Sequence, residues 1–163
     1  QQSVLELARE VPFAKRMINS GRLSVPHQYS NSSVIVNDLE DEFTAQLGPG
    51  SPALDAPVLL DDKSHWFLDL LASTKFTLVC YWQQKVNANA DFPIHARLRI
   101  LHVVAQQPET GLIHDWESLL QQRYNCADGS WYLFRPDAHV VARGREIICH
   151  AISEALGHSL LKI

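Results

Sequence analysis

Three cysteines, Cys80, Cys126 and Cys149, are the side chains in this sequence best suited to covalent chemistry. A thiol attacks or ligates only as the thiolate, so its surroundings must lower its pKa through a nearby cation, a helix N-terminus or a second thiol. Cys80 stands inside the apolar run Phe76-Thr77-Leu78-Val79-Cys80-Tyr81-Trp82, followed by Gln83-Gln84, with no second cysteine two or three residues away. No CxxC exists anywhere in the chain, so dithiol exchange has no centre. Cys80 is left as a lone candidate nucleophile, with Cys126 as a partner only if the fold brings the two together. The blander reading, small buried apolar residues, fits an apolar strand better.

The other chemistry-bearing residues are scattered. The eight histidines, His27, His65, His95, His102, His114, His139, His150 and His158, form no HExxH or HxH, and no cysteine pair has zinc-ligand spacing. His102 lies among strand-type apolar residues and reads as a satisfied core histidine. Asp115, beside His114, reads as a helix cap. No GxSxG, phosphate loop or GxGxxG is present. The tryptophans Trp66, Trp82, Trp116 and Trp131 could line a small-ligand site, but their spacing predicts core packing instead. The acidic run at 38–42 reads as a solvated loop. We therefore expect no catalytic, cofactor-binding or metal-ligating residue here, with Cys80 as the one alternative.

Bulk properties narrow the class further. The 163 residues suffice for one well-buried domain with an appendage, and 46% hydrophobic against 20% charged residues is ordinary for a globular chain. A net charge of −4 offers no basic stripe for nucleic acid. No apolar run approaches the roughly 20 residues that span a bilayer. The few scattered cysteines predict a reducing, cytoplasmic setting. The chain opens on Gln1 rather than Met, with residues that read as the middle of a longer polypeptide, so we expect a piece of a larger protein.

The elements that would position these residues follow from periodicity. Residues 1–20 carry Val4, Leu7, Ala8, Val11, Ala14 and Ile18 at near-helical spacing, ended by Gly21. Residues 21–56 are rich in Ser, Asn, Asp, Gly and Pro and predict an extended linker across a surface. From residue 57 the pattern is a short strand at Val58-Leu59-Leu60, then a helix from Asp62 or Ser64 through Ser73. Two interior strands follow, at 76–82 and 97–105, joined by a crossover with weak helical character. A helix from about Asp115 precedes a hairpin over 131–143 turning at Arg135-Pro136-Asp137-Ala138. A last helix has Ile147, Ile148, Ala151, Ile152, Ala155 and Leu156 as its stripe and Gly157 as its cap. This order predicts an α/β fold for 57–163, a thioredoxin-like mixed sheet flanked by helices and lacking the dithiol.

The segments Ser20–Tyr29, Gly48–Leu60, Phe76–Trp82 and Trp131–Arg143, in that order, resemble the C-terminal end of the FAD-dependent aromatic hydroxylases, the flavoprotein monooxygenases that include phenol hydroxylase and hydroxyphenylpropionate hydroxylase. The resemblance implies a thioredoxin-like domain without its dithiol, non-catalytic by itself, serving stabilisation or a subunit interface. It also implies partners: upstream FAD and substrate domains of the same chain, whose trailing helix would be residues 1–20, and a homodimer if the domain builds that interface. FAD and NADPH or NADH would be bound upstream, where a phenolic ring is hydroxylated. Two positions depart from the family. Ala138 stands where Gly is common, which predicts strain or a negative φ, and Gly144 where a large residue such as Trp is common, which predicts a loosened strand end. The alternative is a stand-alone thioredoxin- or peroxiredoxin-like thiol oxidoreductase using Cys80.

Overall fold

The computed structural model describes residues 47–106 and 109–161. The expectations for residues 1–20, for 21–46 and for the acidic run at 38–42 lie outside the described residues. Within them, seven strands form one mixed sheet. They are β1 (Pro57–Leu60), β2 (Lys63–Trp66), β3 (Phe76–Trp82), β4 (Leu98–Val104), β5 (Ile113–His114), β6 (Trp131–Phe134) and β7 (Val140–Gly144), in the order β2-β1-β5-β4-β3-β6-β7. The described helices are α1 (Phe67–Leu71), α2 (Leu119–Tyr124) and α3 (Cys149–Leu160). The fold is α/β, as the order of apolar runs predicts.

β3 explains the layering. All seven of its residues are buried, so both sheet faces need cover. Val79 and Tyr81 face one core, with Phe67 and Leu71 of α1 and Leu120 and Tyr124 of α2. Leu78, Cys80 and Trp82 face the other, with Trp131, Leu133, Val141 and the α3 residues Ile152, Ala155 and Leu156. β3 runs parallel to β4 and antiparallel to β6. The crossover between β3 and β4 contains no helix, in keeping with its weak helical pattern, and lays Val86, Ala90 and Phe92 against the α3-side core.

Several local expectations need correction. The stretch from Asp62 to Trp66 does not begin a helix. β2 folds back on β1 through Asp61 and Asp62, whose φ values of +48° and +61° match the two-residue turn that suits twisted antiparallel strands. Only Phe67–Leu71 is helical, and its first turn is capped from elsewhere: Asp55 Oδ1 accepts the Leu68 N–H at 3.0 Å and the Ala56 carbonyl accepts the Phe67 N–H at 2.9 Å. At its far end the Arg99 guanidinium donates to the Leu70 carbonyl and, through Nε, to Thr77 Oγ1 at 2.8 Å. The two-residue β5 carries no periodic signal and is missed by sequence reasoning. α3 starts at Cys149 and runs through Gly157, so that glycine is not its cap. Ile152 faces the core beside Leu133 and Val141, but Ile148 precedes the helix and is 53% exposed.

Residues 47–56 lie along the domain rather than away from it. Gly50 N–H and the Ser51 carbonyl pair with Val140 at 2.8 and 2.9 Å, and Leu47 and Ala56 are buried in the α1–α2 core. The Tyr124 hydroxyl accepts the Leu54 N–H and donates to the Leu54 carbonyl, both at 2.7 Å.

The hairpin forms as the sequence predicts. Its turn closes through Ala138 N–H to the Arg135 carbonyl at 3.0 Å, with Ala138 at φ +59°, the strained alternative for an alanine. Gly144 does not loosen the strand end. Trp131 stands opposite it, and a Cβ at Gly144 would lie 2.5 Å from Trp131 Nε1. The indole cannot step aside cheaply, because Nε1 donates to the Glu146 carbonyl at 2.7 Å. Gly144→Ala is therefore expected to lower stability by about 1–3 kcal/mol, the usual cost of overpacking, read as a lower urea midpoint at unchanged slope.

Candidate functional site

The place to look for chemistry is the end of β3, where the chain leaves the central strand. Cys80 points into the α3-side core and is fully buried. Loss of hydration pushes its pKa from 9.0 to about 12. The geometry gives this thiol no means of ionising near neutral pH. Cys126 does not assist it. Cys126 packs against the opposite core, beside Tyr81 and Tyr132, so the two thiols lie on opposite faces of the sheet. Its pKa is also pushed well up, first by burial and then by the Asp115 carboxylate, against a smaller opposing pull from Arg145. All three cysteines are free thiols.

Beyond Trp82 the strand end is closed by the loop before β6. Asp128 Oδ1 accepts the Gln83 N–H at 2.8 Å, the Tyr81 carbonyl accepts the Gly129 N–H at 2.9 Å, and the Ser130 carbonyl accepts the Tyr81 N–H at 2.8 Å. The loop is itself fixed by the Ala127 N–H, which donates to Ser130 Oγ at 2.8 Å. A backbone amide at the head of a crossover can stabilise a thiolate in a redox-active protein; here the Asp128 carboxylate takes it. Sequence reasoning did not assign Asp128 a role, although Asp-Gly just before an apolar strand is a turn signal.

On the other face Asp115 organises a buried polar cluster. Only 1% exposed, it accepts the N–H groups of Leu120 and Gln121 at 3.1 and 2.9 Å, which caps α2 as the sequence predicts. It also accepts a longer bond from the Tyr81 hydroxyl at 3.4 Å. Burial and the neighbouring carboxylate push the Tyr81 pKa upward, and burial does the same at Tyr124 and Tyr132. Tyr124, Tyr132, Phe67 and Phe134 meet in edge-on and stacked pairs, leaving a void of only about 10 Å³. That is packing, not a ligand chamber.

The remaining candidates are not brought together. His102 is satisfied as expected, Nδ1 accepting from Trp82 Nε1 at 3.2 Å, and burial lowers its pKa. Trp82 and Trp131 are core residues, but Trp66 and Trp116 are 55% and 51% exposed, so core packing does not account for those two. Among the described residues, no three His, Cys, Asp or Glu side chains gather to hold a metal ion, and no helix is long and apolar enough to cross a membrane. One open cleft of about 240 Å³ lies at the sheet's β1–β5 end, with Asp61, Asp62, Glu109 and His114 in its lining.

Two solved flavoenzymes share this architecture. The flavin-dependent monooxygenase PieE, solved with FAD and substrate, aligns with a TM-score of 0.64 at 18% identity, over 90% of this chain and 28% of its own. Aklavinone-11 hydroxylase, solved with FAD and aklavinone, aligns at 0.61 and 20% identity, over 83% of this chain and 26% of its own. The chain has the fold of the C-terminal part of these flavin-dependent monooxygenases. It spans about a quarter of their length. A thioredoxin domain of a thiol-disulfide oxidoreductase from Bacteroides vulgatus aligns at 0.47 and 16% identity, over 67% of this chain and 98% of its own. No protein-family model matches the sequence, and no curated protein matches it.

Two outcomes follow from the geometry. Asp115→Ala strips two backbone donors of their acceptor and should cost about 1–3 kcal/mol, visible in urea unfolding. A thiol whose folded pKa exceeds its unfolded value adds stability below the unfolded value and loses it as pH rises through the folded one. For Cys80 that window runs from 9.0 to about 12. Stability should fall there by about 1.4 kcal/mol per pH unit from this thiol alone, and Cys80→Ala should remove that part of the slope in urea midpoints taken across the window.

Proposed function

We propose that this chain is the non-catalytic C-terminal domain of an FAD- and NAD(P)H-dependent hydroxylase acting on phenolic rings, a structural module that stabilises the upstream flavin and substrate domains or carries a subunit interface. The observation that carries the reading is the sealed end of β3. Asp128 accepts the Gln83 N–H, Gly129 donates to the Tyr81 carbonyl, and Cys80 is inside the core. The fold shared with two flavin-dependent monooxygenases supplies the context. Three unpaired thiols fit a reducing, cytoplasmic setting.

The described residues do not fit a flavin. A dinucleotide pyrophosphate is seated where a Gly-rich turn leads from a strand into a helix N-terminus. α1 follows β2 directly through Trp66 with no glycine between, and α2 begins after Ser118. α3 follows the glycine-ended β7, but Trp131 fills the space at Gly144. FAD and the nicotinamide therefore belong to the upstream part in this reading, and no chemical step is assigned to these side chains.

The test has two arms. Equilibrium dialysis of this chain against FAD should leave it colourless; stoichiometric retained flavin would overturn the non-catalytic assignment. The natural polypeptide with its upstream sequence should hold FAD and consume NADPH or NADH with a phenol. Absence of any flavin-binding segment upstream would sink the hydroxylase reading.

A further inference from the structure

The crossover from β3 to β4 is fastened to the sheet by side chains alone. Among the described residues, the hydrogen bonds of 84–96 stay within the crossover or reach the two residues after it. Ala90 N–H donates to the Asn87 carbonyl at 3.1 Å and Asn89 N–H to Asn87 Oδ1 at 3.0 Å, while the amides of Arg97 and Leu98 donate to His95. Val86, Ala90 and Phe92, all half-buried, make the contact with the α3-side core. Phe92 meets His102 of β4 in an edge-on contact, ring centroids 5.3 Å apart and planes at 67°.

His102 has a second task. Trp82 is only 4% exposed, and its indole N–H, which can only donate, goes to His102 Nδ1 at 3.2 Å. That bond requires Nδ1 to carry no proton. Protonation would set one N–H against another and leave a buried donor without its acceptor. We propose that His102 is a pH-controlled latch on the crossover: the neutral ring holds Trp82 and Phe92 and keeps residues 84–96 closed over the core, and the imidazolium releases them.

The titratable neighbours leave this charge uncompensated. Cys80, the register partner of His102 on β3, is a buried neutral thiol, and His114 of β5 stands beside Val104 on the same face. On the crossover Lys85, Asp91, His95 and Arg97 are exposed, as are the charged residues of α3. None of them forms an ion pair with His102. Loss of hydration lowers the ring's pKa from its ordinary 6.5. A base whose pKa is lower closed than open favours closure fully above the open-state value and loses that preference as pH falls below it. The opening constant should rise by up to about tenfold per pH unit below 6.5.

Exchange of the Trp82 indole proton on the full chain reads the latch, with its resonance assigned by the loss in Trp82→Phe. Scaled to a free indole at each pH, the rate should climb about tenfold or more between about pH 7 and about pH 5. Trypsin cleavage after Lys85, scaled to an unstructured peptide of that sequence, should rise over the same range, because Val86 must leave the core to be cut. His102→Asn offers Oδ1 to the indole but does not titrate, so both rates should become flat. Backbone amides of β3 should stay protected throughout, which separates crossover release from acid unfolding. Rates that stay flat while His102 titrates overturn the proposal, as does a pH dependence that survives in His102→Asn, or β3 protection lost in step. Should the asparagine variant fail to fold, Phe92→Ala decides: with its cover gone, His102 should titrate closer to 6.5 by NMR than in the unaltered chain, and an unchanged value overturns the latch. None of these results touches the hydroxylase reading, which turns on the β3 loop and the upstream flavin segment.

Discussion

β3 has no exposed residue, and that single condition organises the rest. A strand buried on both faces and along both edges needs neighbours in every direction. β4 supplies one edge and β6 the other, in registers that run the length of the pairing. α1 and α2 close one face, and α3 with the irregular crossover closes the other. The terminal hairpin and helix are therefore the completing half of a core that begins at Phe76. Because β3 pairs with residues more than fifty positions later in sequence, this core cannot form until the end of the domain is in place.

The same burial decides the chemistry. An apolar central strand holds Cys80 in a place where charge is costly, and the backbone amide that follows it is claimed by Asp128. What the fold could offer a thiol has been given over to holding two strands and a loop together. Asp115 shows the same use on the other face: a buried carboxylate is spent on the first amides of a short helix. Both carboxylates, Asp115 and Asp128, are turned toward the domain's own backbone.

How much of this was legible depended on the length of each element. The near-continuous apolar run Phe76–Trp82, broken only by Thr77, and the paired runs around Arg135-Pro136-Asp137-Ala138 announce the centre and the hairpin, because burial and turn chemistry act through adjacent residues. β2 was misread as helix: His65-Trp66-Phe67 continues smoothly into Leu68–Leu71, and only the left-handed pair at Asp61 and Asp62, invisible in composition, turns the chain back. β5 is two residues long and exists through its neighbours. The exposure of Trp66 and Trp116 depends on which faces the helices reach, a tertiary outcome that residue type does not carry. The closure by Asp128 joins residues 45 apart in sequence, beyond any local pattern.

Trp131 and Gly144 share one volume between two strands. The indole occupies the space that a side chain at 144 would need, and its N–H is tied to the chain just beyond. Neither position can drift alone over evolutionary time. A lineage that gains a large residue at 144 has to shrink the one at 131 in the same interval, and the reverse. The glycine at 144 beside the tryptophan at 131 is thus one solution of a shared packing constraint. Comparison of homologues should find these two columns exchanging size together while the strands around them stay fixed.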